Sequence, residues 1–447
     1  MSTIVVGPPR QYVDRGWPAI ASRIQVGDEH MELYFRCSQG PLSLSSAPFV
    51  LSMLLPAMKL GASVCASSPL SAQLMTVQET LQRIILADFP SLRHALVGPP
   101  AGDSATPSPA AQPDERGVFI FFSGGVDSFY TLLEHQQEIS HCVFVHGFDT
   151  LLANAGVRAR NVQAMREATA ELGKPLIEIE TNYRSCVDRF APWEHGSATI
   201  AQCAIACALS PQFGRGYVAQ NYDYLGFLRR PGIEPNYRLG DMEVVQDGLD
   251  CLRLDKTIRI ATSETAMRWL RVCWQNKRLA YNCGRCEKCL RTMIALHLAG
   301  ALSRCRTFNQ PIDLQRVRYL DFGNSMYFWP ELLAELERRA ADADLAEAVR
   351  DSIGWASTPL WLRGRLAASF EKKGNVPELE RILKERMAYA QMPLDPHLQA
   401  IALGKTMTRV FDLEQELRTV RASRSWKLTK PVRALGRFAR RLGTGPR

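Results

Sequence analysis

The chain has 447 residues, 46% hydrophobic and 22% charged, the balance of a soluble protein of more than one domain. No apolar run reaches the length of a membrane span, and the first ten residues lack the basic-then-apolar layout of a secretory signal. The expected location is therefore the cytoplasm. The net charge of +9 is unevenly placed. Ten Lys/Arg and no Asp/Glu lie from Leu417 to Arg447, which leaves about −1 for the rest and argues against a body built to hold nucleic acid. Twelve cysteines in such a chain point to thiols or a metal rather than a disulfide framework.

Residues 1–98 read as a small α/β accessory domain without a chemical motif. Met31, Leu33 and Phe35 alternate with Glu32 and Tyr34 at strand period, and Phe49–Met58 is a dense apolar helix ended near Gly61. Residues 62–66 resemble a short strand, and Ser71–Leu86 carries Leu74, Val77, Leu81 and Ile84 at helical spacing. Residues 99–116, rich in Pro, Ala and Ser, read as a linker and domain boundary. From Gly117 strands and helices alternate, which predicts an α/β domain with a doubly wound parallel sheet over residues 117–310.

The first strand of that sheet, Val118–Phe122, runs into Ser123-Gly124-Gly125-Val126-Asp127-Ser128. A glycine turn opening a helix gathers unpaired backbone N–H groups and the positive dipole end at one point. That makes an anion site whose usual occupant is a polyphosphate. Further strands are expected at Cys142–His146, Leu176–Ile179 and Tyr217–Ala219, and helices at Val157–Leu172 and Ser197–Leu209. Ligands of such sheets lie beyond the carboxyl ends of the strands, which groups Ser123, His146, Asn182 and Gln220–Asn221 around one crevice. Tyr222–Gln246 reads as an irregular loop over the crevice, and Leu254–Ala261 as a helix capped by Asp255.

Cys283-Gly-Arg-Cys286-Glu-Lys-Cys289, with Cys273 ten residues upstream, is the second landmark. Four thiolates suit a closed tetrahedral zinc site, with an iron–sulfur cluster or unconnected buried thiols as alternatives. Arg285, Lys288 and Arg291 are expected to lower the thiol pKa values. Cys37, Cys65, Cys142, Cys203, Cys207, Cys251 and Cys305 fall outside the pattern and read as core thiols. Residues 311–416 read as helical and 417–447 as a basic tail.

SGGVDS resembles the SGGxDS loop of the PP-loop N-type ATP pyrophosphatases, which cleave ATP between the α and β phosphates. It has neither the Gly-Lys-Ser/Thr ending of a Walker A loop nor the spacing of a dinucleotide fingerprint. SGGVDS followed by Cys273 and Cys283–Cys289 resembles 7-cyano-7-deazaguanine synthase-like proteins over residues 117–300, and Asp255–Ile260 is similar to their Lys-x-x-Ile segment. The resemblance implies an adenine nucleotide alpha hydrolase-like fold, with ATP, Mg2+ and Zn2+ bound. Backbone N–H groups of Ser123, Gly124, Gly125, Val126, Asp127 and Ser128 would hold phosphates, and backbone at Val145 and His146 the adenine. Asp127, Ser128 and Lys256 would carry the chemistry, Asp127 on Mg2+ and Lys256 at the leaving pyrophosphate. Cys273, Cys283, Cys286 and Cys289 would hold zinc. His146 itself reads as a packed residue rather than a base.

The reaction implied is adenylation of a carboxylate or amide on a small molecule, with pyrophosphate release and transfer to a nitrogen nucleophile. The family's Phe-Asp-Tyr-Gly-Gln element is replaced here by His146-Gly-Phe-Asp149, which leaves the substrate open. Two alternatives stand beside this reading: an RNA-modifying PP-loop enzyme, and a non-enzymatic ATP-binding docking module. The tail's Ser423-Arg-Ser-Trp-Lys-Leu-Thr-Lys-Pro-Val-Arg433 is similar to endings of bacterial glycosyltransferases and their companions in surface-polysaccharide clusters, which implies a surface-glycan precursor as substrate. The tail is expected to dock to a membrane surface, a polyanion or a protein partner.

Overall fold

In a computed structural model of the chain the described residues are 2–98, 116–190, 193, 197–220, 236–274, 281–318, 320, 322–340 and 342–356. They belong to two compact units, Met1–Ile312 and Asp313–Arg447. The first unit begins with β1 (Thr3–Val6), β2 (Arg10–Asp14), β3 (Trp17–Val26), β4 (Glu29–Cys37), α1 (Ala47–Leu60), β5 (Ser63–Ala66), α2 (Ala72–Asp88) and β6 (Val97–Gly98). It continues with β7 (Gly117–Phe121), α3 (Val126–Glu134), β8 (His141–His146), α4 (Ala155–Glu171), β9 (Leu176–Thr181), α5 (Tyr183–Val187), α6 (Ser197–Leu209) and β10 (Phe213–Ala219). Then come β11 (Asn236–Leu239), β12 (Met242–Asp247), α7 (Arg253–Ile260), α8 (Glu264–Trp269) and α9 (Glu287–Leu298).

The twelve strands form one mixed sheet in the order β11-β12-β10-β7-β8-β9-β4-β3-β1-β5-β6, with β2 on the flank of β3. Its centre is the expected parallel sheet: β12, β10, β7, β8 and β9 are parallel to one another, while the flanking β11 and β4 pair antiparallel with β12 and β9. Numbered by appearance these five run 5-4-1-2-3, a doubly wound order whose direction reverses between β7 and β10. The crevice of such a sheet opens at that reversal, beyond the carboxyl ends of the two strands. β7 shows why both of its faces are covered. Phe119 and Phe121 pack into one apolar layer with α1, α2, α5 and α6, while Ile120 and Phe122 pack into the other with α3, α4, α8 and α9.

The segments on either side of the expected linker share this sheet. β4 pairs antiparallel with β9, Phe35 opposite Thr181 and Cys37 opposite Ile179, and Phe35 and Phe49 lie in the same apolar layer as Ile179 and Leu209. Residues 99–115 of the linker lie outside the described residues. Two local expectations change. Residues 236–246 of the supposed irregular loop belong to a hairpin around Gly240–Asp241, with Tyr237, Leu239, Met242 and Val244 buried at period two; residues 222–235 of it lie outside the described ones. Asp255 does not cap its helix: the extended residue before the first turn is Leu252, and Asp255 sits inside that turn, where a carboxylate still favours the dipole.

The second unit is helical over its described part, with α10 (Leu314–Arg318), a 3-10 segment (Gly323–Phe328), α11 (Trp329–Arg339) and α12 (Ala343–Ala356). Trp329 is fully buried, and Arg318 reaches Glu347 at 3.2 Å and Asp351 at 3.3 Å. Residues 357–447, including the basic tail, lie outside the described residues. No described helix is long and apolar enough to cross a membrane.

Candidate functional site

β7 delivers its chain to the reversal point as Phe122-Ser123-Gly124-Gly125, and α3 leaves from there. Phe122 and Phe129 meet edge to face across the turn, 5.0 Å between ring centres, which fixes its two ends and is worth about 1 kcal/mol beyond burial. Gly124 has φ +74°, and a β-carbon there would lie 2.6 Å from Met165 Cε, so the turn requires glycine twice over. The Gly125 carbonyl accepts from Phe129 N–H at 3.0 Å and from Ser128 Oγ at 3.1 Å, and Ser123 Oγ lies 3.5 Å from Ser128 Oγ. The N–H groups of Val126, Asp127 and Ser128 belong to a first helical turn and have no acceptor within the helix.

Asp127 faces helix α7. Arg253 donates to its Oδ2, and Lys256 Nζ lies 3.7 Å from its Oδ1. The structure thus brings together Asp127 and Lys256, and adds Arg253, which the sequence reading missed. Its position three residues before Lys256 on one helix face was the available signal. Lys256 is fully buried, and its ammonium also donates to the Gln220 carbonyl at the end of β10. Burial lowers its pKa, against the opposing charge of Asp127. Asp127 faces both cations, Asp247 adds a second negative charge near Lys256, and Asp127 Oδ1 is buried without a hydrogen-bond donor. Those are the groups a polyphosphate with a divalent cation would need: Arg253 and Lys256 for anionic oxygens, and the Asp127 carboxylate for the metal.

The other grouped residues divide. His146 is packed: Nε2 bonds Glu178 Oε2 at 3.0 Å, and its ring meets Phe144 edge-on. Asn182 holds the β4–β9 seam instead, accepting from Tyr34 N–H at 3.0 Å and donating to the Glu32 carbonyl at 2.8 Å. Asn221 lies outside the described residues. At Val145 the backbone matters. Val143 O accepts from Phe122 N–H, while Cys142 N–H donates to Pro175 O on the opposite side. Alternation turns the Val145 N–H and C=O toward the β7 side, after β7 has left the sheet.

Beside the loop lies a group of four cysteines. Cys273, Cys283, Cys286 and Cys289 place their sulfurs within 4.8 Å of one another, with Cys273–Cys286 at 4.0 Å and Cys283–Cys289 at 3.8 Å. Tetrahedral Zn–S bonds of about 2.3 Å require sulfurs about 3.8 Å apart, so the group could hold a metal such as zinc. Gly284, at φ +60°, makes the turn, and Gln310 fills the space where a β-carbon would stand while bonding Cys283 O at 2.9 Å. At Cys286 and Cys289 the thiol pKa is raised, not lowered as expected. Sharing hydrogen bonds with Cys273 raises both the Cys286 and Cys289 thiols, and Arg291 is engaged by Glu287 at 2.9 Å. A metal entering here displaces those protons. The remaining thiols are buried except Cys65 and Cys251, which are half-buried, and Cys186 joins the buried set.

Sequence reasoning also missed Asn282. Its Oδ1 accepts from Val272 N–H at 2.9 Å and Cys273 N–H at 3.1 Å, and its Nδ2 donates to Leu270 O at 2.8 Å and Thr307 Oγ1 at 2.9 Å. The chain matches no protein-family model, no curated protein and no solved structure with which it was compared.

Proposed function

We propose that this chain binds ATP at the Ser123–Ser128 turn and uses it to adenylate a carboxylate or amide of a small molecule, releasing pyrophosphate. The observation that carries the proposal is the place of SGGVDS at the reversal point of the sheet, with Arg253 and buried Lys256 converging on Asp127. Loop N–H groups hold the β and γ phosphates, and the Val145 backbone holds adenine. The acceptor oxygen attacks the α-phosphorus. The bond to the α–β bridging oxygen breaks, and pyrophosphate leaves with the electron pair beside Lys256. A nitrogen nucleophile then displaces AMP from the activated carbon. When bound at Asp127, Mg2+ offsets charge on the phosphate oxygens. Zinc at the four cysteines is structural in this reading, because all four positions are taken by sulfur.

Incubation with ATP, Mg2+ and a panel of carboxylates is expected to give AMP and pyrophosphate. ADP and phosphate as the sole products would sink the proposal. Asp127→Ala is expected to lower turnover at least about 100-fold in protein shown to be folded by circular dichroism, with some loss of stability because buried Lys256 loses its carboxylate partner.

A further inference from the structure

We propose that Asn282 is a positioning residue that couples the four-cysteine metal centre to the anion-binding turn. The inference rests on the nucleotide reading above and extends it to the metal. The link is a short strap, Leu270–Cys273. Arg271 N–H donates to Gly124 O at 2.7 Å, and the Arg271 carbonyl lies 3.7 Å from where a Gly125 β-carbon would be. Gly124 is therefore held between Met165 of α4 and the backbone of the strap. With the Asn161 amide oriented so that its oxygen faces the Arg271 guanidinium, that oxygen accepts from Nη2 at 3.1 Å and Nε at 3.3 Å.

Two residues beyond Arg271 is the metal ligand Cys273; on the other side of the centre, Asn282 directly precedes the ligand Cys283. The Asn282 amide brackets Arg271, bonding Leu270 before it and Val272 and Cys273 after it, and its fourth bond goes to Thr307. All four hydrogen-bonding positions of the amide are used. No other natural side chain of this length offers two acceptor and two donor sites in that plane. Drawing Cys273 and Cys283 onto one metal fixes the Asn282 backbone. That sets the strap, and the strap sets the carbonyl of Gly124 and the direction of the N–H groups that follow it. The same path runs backwards: an anion that orders the turn holds Arg271, and through Asn282 it holds the ligands Cys273 and Cys283. Linkage makes the two effects equal in free energy.

The test measures zinc affinity by competition with a chromogenic chelator, with and without saturating α,β-methylene-ATP and Mg2+, a nucleotide that cannot be cut between the α and β phosphates. Calorimetry follows binding of the analogue directly. The wild-type protein is expected to hold zinc at least about fivefold more tightly with the analogue bound, the lower edge of ordinary coupling. In Asn282→Ala, zinc affinity is expected to fall and the ratio with and without analogue to approach one. A residue needed only for packing would weaken zinc yet leave that ratio intact, so a wild-type ratio in the variant overturns the proposal. Should Asn282→Ala fail to fold, the wild-type ratio decides alone. Wild-type protein that binds the analogue but shows no change in zinc affinity overturns the coupling and leaves the nucleotide reading standing. Wild-type protein that binds no analogue overturns both.

Discussion

Glu180 shows how one buried carboxylate ties the extra N-terminal strands to the parallel sheet. It stands opposite Arg36 across the β4–β9 seam, accepts from Arg36 and from Arg158 of α4, and receives the Tyr34 hydroxyl at 3.2 Å. Burial pushes its carboxyl up, but the bonds and charges of the two arginines outweigh this and hold it below its ordinary value of 4.5. The Arg36 and Glu180 side chains are 4% and 9% exposed, so removing the charge leaves buried Arg36 with only the half-exposed Asp14 as a counter-charge and takes the carboxylate partner from Arg158. Glu180→Gln is expected to cost about 3 kcal/mol at neutral pH. Because the folded pKa is depressed, the stabilisation is fully present above the ordinary value and is lost as pH falls through the folded one. Unfolding midpoints followed from pH 7 down to pH 3 should show wild type losing its advantage over Glu180→Gln in the acid range. A constant difference across that range would remove the ion pair from the account.

At the scale of elements, the stretch from α8 to α9 serves two purposes through adjacent residues. Leu270–Cys273 abuts the Ser123–Ser128 turn, and Cys273 with the Cys283–Cys289 turn brings four sulfurs to one point. Among the described residues α9 starts at Glu287, so Cys286 ends the turn and Cys289 lies in the helix, both buried. The sulfur group is expected to hold about one zinc per chain by elemental analysis. Replacing any one of the four cysteines by serine should lower the thermal midpoint of the first unit by several degrees, since part of the metal's binding free energy is folding free energy. Iron with acid-labile sulfide in the purified protein would replace zinc with a cluster.

At the scale of the molecule, β1–β6 complete a sheet rather than stand beside one. Without them β9 would be an open edge, and α6 would lose the apolar cover of α1. Expressed alone, residues 116–312 are therefore expected to aggregate, whereas residues 1–312 should stay monomeric by light scattering. A soluble, monomeric 116–312 fragment would mean that the two parts fold independently. The tail obeys a different logic, that of charge. With ten cations from Leu417 onward and a body near neutrality, deleting residues 418–447 should abolish salt-sensitive retention on heparin or anionic vesicles. AMP formation should be unchanged by the deletion; its loss in a folded truncated protein would place the tail in the active site.

Local chemistry was legible from residues alone. The unbroken apolar run Val118–Phe122, the turn that follows it, the α6 segment Ser197–Leu209 and the Cys-x-x-Cys-x-x-Cys spacing are properties of short stretches, and backbone sterics and ligand geometry act at that range. Which strand neighbours which was not legible, because a ladder bond between β4 and β9 joins residues more than 140 apart and any apolar strand edge would satisfy the same backbone groups. Only the assembled sheet decided that residues 1–98 are part of the fold that carries the turn. Arg253, Asn282 and Glu180 stayed hidden for a related reason. An arginine, an asparagine and a glutamate are ordinary surface residues in sequence, and their roles arise from partners brought close by the packing of α7, the cysteine strap and the seam. Composition and spacing thus determined that this chain would form a glycine turn opening a helix and gather four thiols. Tertiary structure decided that the two lie side by side, because burying both faces of β7 draws α3, α4, α8 and α9 onto the same side of one strand.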